Sequence, residues 1–109
     1  MSLRAKEKGA LHEFVSKVKA SLGRNLLSIR LFGSKARGDS TKGSDIDVVV
    51  IVTRLASDVK DQVFDIAFDV NLEFGVWISP RVVSARVFST PLWRITPFAR
   101  SIKKDGIRL

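Results

Sequence analysis

Apolar residues recur along the chain with two periods, and the switch between them outlines the elements. Leu11, Phe14, Val15, Val18 and Leu22 fall at helical spacing, which predicts a helix over about 5–22 with Gly23 as its stop. From 27 to 32 the period drops to two: Leu27, Ile29 and Leu31 alternate with Ser28 and Arg30, the pattern of a strand. It runs into Gly33-Ser34, and 34–43 is small, polar and glycine-containing, a loop with room for one helical turn. The segment 45–53 is rich in β-branched residues and predicts a buried central strand. Ser57 and Asp58 offer N-caps for a second helix, with Val59, Val63, Ile66 and Val70 on one face and Asp58, Asp61, Asp65 and Asp69 mostly on the other. The stretch 72–79 reads as another strand closed by Pro80, and 81–88 as a weaker strand or short helix. Thr96-Pro97 pairs an N-cap with proline at the first helical position and opens a last helix to about Lys104, ended by Asp105-Gly106. The order predicts an α/β (α+β) fold, a small mixed sheet flanked by helices.

Length and composition narrow the class. A chain of 109 residues predicts one domain over 1–109, and 45% hydrophobic residues with seven Phe and two Trp can build its core. The apolar runs fall far below the roughly 18–20 residues that span a bilayer. With no cysteine, disulfides, thiol nucleophiles and cysteine-ligated zinc drop out together. No apolar stretch follows the charged start, so no secretory signal is visible and a cytoplasmic protein is expected.

The net charge of +8 is unevenly spread. Residues 1–44 hold ten Lys/Arg against three Asp/Glu, 45–80 hold two against seven, and 81–109 hold seven against one. An acidic middle between basic ends matches a uniform nucleic-acid stripe poorly. It suits carboxylates facing basic groups around an anion, as at a metal–phosphate site, with solvated surface as the plainer alternative.

Candidate chemistry concentrates in Leu31-Phe32-Gly33-Ser34-Lys35-Ala36-Arg37-Gly38-Asp39-Ser40 and Ser44-Asp45-Ile46-Asp47-Val48. Alternation along a strand points Asp45 and Asp47 the same way, with Cα atoms about 6.6 Å apart. Two carboxylates opening an apolar strand repel each other, and Mg²⁺ completed by substrate phosphates would offset that repulsion. Gly33-Ser34 at a strand end lets a phosphate approach the backbone, while Lys35 and Arg37 supply positive charge. Either motif alone is weak, an ordinary turn or a chance pair. Together they describe a metal–nucleoside triphosphate site without a P-loop.

At these residues the sequence resembles the minimal nucleotidyltransferases of the DNA polymerase β-like superfamily. The resemblance is specific in 32–39 and 44–47 and looser elsewhere. It implies a polymerase β-like nucleotidyltransferase fold and metal-dependent transfer of a nucleoside monophosphate from an NTP, ATP favoured, to a hydroxyl, releasing pyrophosphate. On that likeness Gly33 and Ser34 bind the triphosphate, while Asp45 and Asp47 hold two Mg²⁺ ions. The family also places a third carboxylate on a neighbouring strand; Glu73 is the acid available, either at the very start of the expected strand 72–79 or at the end of the preceding helix. It further implies a helical HEPN-type partner, itself an acceptor in some systems, or a homo-oligomer.

Other residues have plainer readings. His12 sits on an amphipathic helix away from the aspartates, and Asp39 is expected to brace the Arg37 loop. Trp77, Trp93 and Phe98 are expected in the core ahead of base stacking. Arg94, Arg100, Lys103, Lys104 and Arg108 form a basic tail that could dock a polynucleotide or an acidic partner, and a solvated helix face fits equally. Two further readings stand beside the enzyme. One is an inactive nucleotidyltransferase-fold module acting as an antitoxin by contact; a nucleic-acid-binding domain ranks below it.

Overall fold

A computed structural model describes residues 3–38 and 45–109. Helix α1 (Ala5–Leu22) and a 3-10 turn (Gly23–Asn25) lead into β1 (Leu26–Phe32) and the one-turn helix α2 (Gly33–Arg37). Then come β2 (Ile46–Val52), α3 (Ser57–Phe74), β3 (Ile78–Ser84), the short α4 (Ala85–Phe88) and α5 (Pro91–Arg94), α6 (Pro97–Asp105) and β4 (Ile107–Arg108). The sheet order is β3-β2-β1-β4; β1 runs antiparallel to both neighbours, and β2 pairs parallel to β3 across the α3 crossover. This is the expected mixed sheet flanked by helices.

The central strand explains its own sequence. Val48 to Val52 are all buried because helices cover both faces of β2, so no polar alternation survives. On one face Ile46, Val48, Val50, Ile29, Leu31 and Val82 pack against Leu11, Phe14 and Val18 of α1 and Val63, Ala67 and Val70 of α3. On the other, Phe32, Val49, Ile51 and Val83 meet Ile102 of α6, with Phe88 and Trp93 alongside.

Several sequence-based expectations need correction: Trp77 and Phe98, expected in the core, are exposed. The segment 72–74 is helical, and the next strand begins only at Ile78. Gly75, at φ +64°, ends α3 by donating to the Asn71 carbonyl at 2.9 Å, and the Asn71 amide pairs with both Ile78 backbone groups. Pro80 does not close β3, which continues to Ser84; on an edge strand a missing N–H need not break the ladder. Ser57 is the first residue of α3 rather than its cap, which is Ala56. At Thr96, by contrast, the hydroxyl accepts from the Ala99 N–H at 3.2 Å as expected, and Thr90-Pro91 repeats the device at α5. Among the described residues no helix is long and apolar enough to cross a membrane.

Candidate functional site

Three segments meet at one end of the sheet. Asp47 lies in β2 opposite Phe32, the last residue of β1, and Ser79 of β3. Asp45 precedes the strand and is exposed, while Asp47 is half-buried. Alternation puts Asp47, Ser79 and Arg81 on the sheet face that α6 covers further along.

Gly33 explains how closely the pieces fit. It opens α2 at φ +74°, and a Cβ there would collide with Asp47 Oδ2 and lie 3.3 Å from Asp47 Cγ. The glycine therefore lets the Asp47 carboxylate rest against the first turn of α2. That turn's backbone adjoins Asp47, an arrangement that an anion cradle beside a cation site would need.

The electrostatics mark Asp47. Burial first, and then the negative charge of Asp45, pushes its carboxyl above the ordinary aspartate range. Arg81 and Arg37 pull the other way without cancelling the rise. Arg37 also lies 3.9 Å from Asp105, linking α2 to the end of α6. The guanidinium of Arg81 stacks 3.6 Å from the Phe98 ring centre on α6. Two hard oxygen donors in mutual repulsion, open to solvent on one side, fit a divalent cation whose remaining ligands are phosphate oxygens and water.

Lys35 and Glu73 are not brought to this site. Successive side chains on α2 diverge by about 100°, and Lys35 turns toward the N-terminus of α1. There its Nζ lies 2.9 Å from Glu7 Oε2, with only 4% and 9% of the two side chains exposed. Burial raises the Glu7 carboxyl; donation from the Arg4 N–H at 2.9 Å and from Lys35, with the charges of both residues, carries it below the ordinary range. Glu73 sits exposed on the last turn of α3, the helix that packs on the opposite face of the sheet. Among the described residues no three acidic or histidine side chains form a metal-binding group. The acidic middle of the chain is thus mostly the surface of α3, and only Asp45 and Asp47 belong to the site. Asp39, Ser40 and Ser44 lie outside the described residues.

Arg81 was missed in the sequence because Pro80 read as a strand end. The usable signal was the alternation of Ser79, Arg81 and Val83 beyond it.

Comparison with known proteins matches these elements. The nucleotidyltransferase domain family matches residues 11–109. A curated protein of Methanocaldococcus jannaschii named "Putative protein adenylyltransferase" is 35% identical over 102 residues, covering 92% of this chain and 94% of its own. A solved "putative minimal nucleotidyltransferase" covers both chains fully at 22% identity and TM-score 0.56. The chain also resembles one in a solved complex of a tri-AMPylated Shewanella oneidensis HEPN toxin with MNT antitoxin. That match has 16% identity and a TM-score of 0.52, and covers 94% of this chain and 70% of the other.

Proposed function

The chain belongs to the nucleotidyltransferase domain family, and from that premise we propose that it moves a nucleoside monophosphate from an NTP, ATP favoured, to a hydroxyl acceptor. The acceptor oxygen bonds to the α-phosphorus, the α–β bridging bond breaks and pyrophosphate leaves, while the hydroxyl proton passes to water at the open mouth. The α2 turn, with Gly33 and Ser34, holds the triphosphate against Asp47. Arg37 and Arg81 offset phosphate charge on either flank. Asp45 and Asp47 hold the divalent ions, Mg²⁺ in the cell, which when bound supply charge at the attacking and leaving oxygens. Glu73 and Lys35 have no part in this reading. The observation that carries it is the closeness of Gly33 to the Asp47 carboxylate, which supports an anion cradle beside a cation site.

Calorimetric titration of Mg-ATP into wild type, Asp45→Asn and Asp47→Asn tests it. Saturable binding that needs metal and weakens more than about 100-fold in either variant is expected, since even residues behind a metal ligand are worth about 10–100-fold. No binding by the wild type overturns the reading.

A second reading, a module that neutralises a helical HEPN-type chain by contact, has its own observation. Phe64, Phe68 and Leu72 recur every four residues on α3 and are 41, 63 and 71% exposed, with Trp77 beside them at 65%. One row of acids, Asp61, Asp65 and Asp69, borders them. Isolated exposed apolar residues are ordinary, but an aligned group of this size marks a contact surface. On this reading Phe68→Asp or Leu72→Asp prevents complex formation with a co-expressed HEPN-type chain, and Asp47→Asn does not. If Asp47→Asn alone prevents it, the contact reading fails.

A further inference from the structure

A second concavity lies on the α6 side of the sheet, with a volume of about 680 Å³ and neither Asp45 nor Asp47 among its lining residues. Its charged lining is cationic: Arg30 of β1, Arg94 at the end of α5, and Arg100 and Lys103 of α6, with no carboxylate among its lining residues. Phe88 and Trp93 form its aromatic side, their rings 6.2 Å apart and tilted at 44°, and the Arg30 guanidinium stands 5.8 Å from the Phe88 ring centre. Two donors here are buried without an acceptor, Arg30 Nε and Trp93 Nε1. Buried donors left unpaired are costly, and both of these belong to residues of a cationic wall.

A solvated basic helix would explain Arg100 and Lys103, but not Arg30. That residue lies half-buried in β1 opposite Val49, in the wall of the cavity rather than on the helix surface, with its guanidinium over the Phe88 ring. Four cations account for phosphate, and two aromatic rings account for something flat beside it. The size is right for a small ligand. Base stacking on aromatic rings next to phosphate-neutralising arginines is how nucleotide units are held without sequence preference.

We propose that this cavity is a second binding site that takes a nucleotide unit, its base against Phe88 and Trp93 and its phosphate on Arg30, Arg94, Arg100 and Lys103. The unit is either a free nucleotide or the end of a single strand. Neither Asp45 nor Asp47 lines the site, and it needs no metal.

The test uses the full chain in EDTA, with Trp77→Phe so that Trp93 is the one tryptophan reporting. AMP, a five-nucleotide single strand and pyrophosphate are titrated while Trp93 fluorescence is followed. Saturable quenching by AMP or the strand is expected. It should weaken roughly 10-fold or more in Arg100→Gln/Lys103→Gln, whose side chains are exposed and whose loss leaves the fold intact. Asp47→Asn should leave it unchanged. Tighter binding of the strand than of AMP, with a steeper fall in salt, assigns the site to a strand end; the reverse order assigns it to a free nucleotide. Pyrophosphate binding as well as either would overturn the nucleotide assignment. No saturable quenching, insensitivity to Arg100→Gln/Lys103→Gln, or loss in Asp47→Asn would overturn the site.

Discussion

Two charge clusters flank the one-turn helix α2, and they are resolved in opposite ways. On the α1 side Lys35 and Glu7 form a nearly buried pair, with the Arg4 N–H supplying a further donor, and the Glu7 carboxyl is held below its ordinary range. On the sheet side Asp47 rests against Gly33 with another carboxylate for a neighbour, and its carboxyl is pushed above the ordinary range. The first cluster is complete without a ligand. The second asks for one. A charge that the fold has satisfied contributes to structure, and a charge it leaves unsatisfied marks where a ligand supplies the missing counter-charge.

The largest effect is expected from breaking the settled cluster. Lys35→Met leaves Glu7 buried without its lysine counter-ion and should cost up to about 3–5 kcal/mol in denaturant unfolding, while Glu7→Leu/Lys35→Leu should recover most of it. Because the folded pKa of Glu7 is depressed, its contribution is present above the ordinary glutamate pKa and lost as pH falls through the folded value. The double variant should lack that acid-side loss. If Lys35→Met proves as stable as the double variant, the pair is not structural.

A smaller effect is expected at the boundary between the clusters. Gly33→Ala places an L residue at φ +74°, worth about 1–2 kcal/mol by itself, and drives its methyl into Asp47. Stability should fall by at least that amount, and Mg-ATP affinity should fall with it. Unchanged affinity in a folded Gly33→Ala chain would separate α2 from the aspartates.

These contrasts show how far the sequence could be read. The β-branched run of β2 and the close spacing of Asp45 and Asp47 are local, so the strand and the neighbouring carboxylates were legible. The end of α3 was not, because Leu72, Phe74 and Val76 mimic strand alternation, and only the Gly75 and Asn71 bonds decide for helix. Glu73 was misplaced for the same reason. The fate of Lys35 depends on Glu7, a residue distant in sequence that the fold brings against α2. The cavity around Arg30 likewise needs β1 and α6 to be placed together.

The smallest effect sharpens the unsettled cluster. Asp47→Asn removes a disfavoured charge and should stabilise the metal-free chain at neutral pH by up to about 1 kcal/mol. With its folded pKa raised, wild-type Asp47 favours folding at low pH, and that contribution is lost as pH rises through the folded value. The thermal midpoint of Asp47→Asn relative to wild type should therefore grow from mildly acidic to neutral pH in EDTA. A difference that shrinks instead would reverse the assignment.

The most direct measurement follows both carboxyls in one sample, by carbon NMR of the Asp47 and Glu7 side chains across pH. Without ligand, Asp47 should titrate above and Glu7 below the ordinary values of about 3.9 and 4.3. Mg²⁺ with a non-hydrolysable ATP analogue should then bring Asp47 down and leave Glu7 where it was. Titration of Asp47 at or below the ordinary value, unmoved by the metal–nucleotide, would contradict the account.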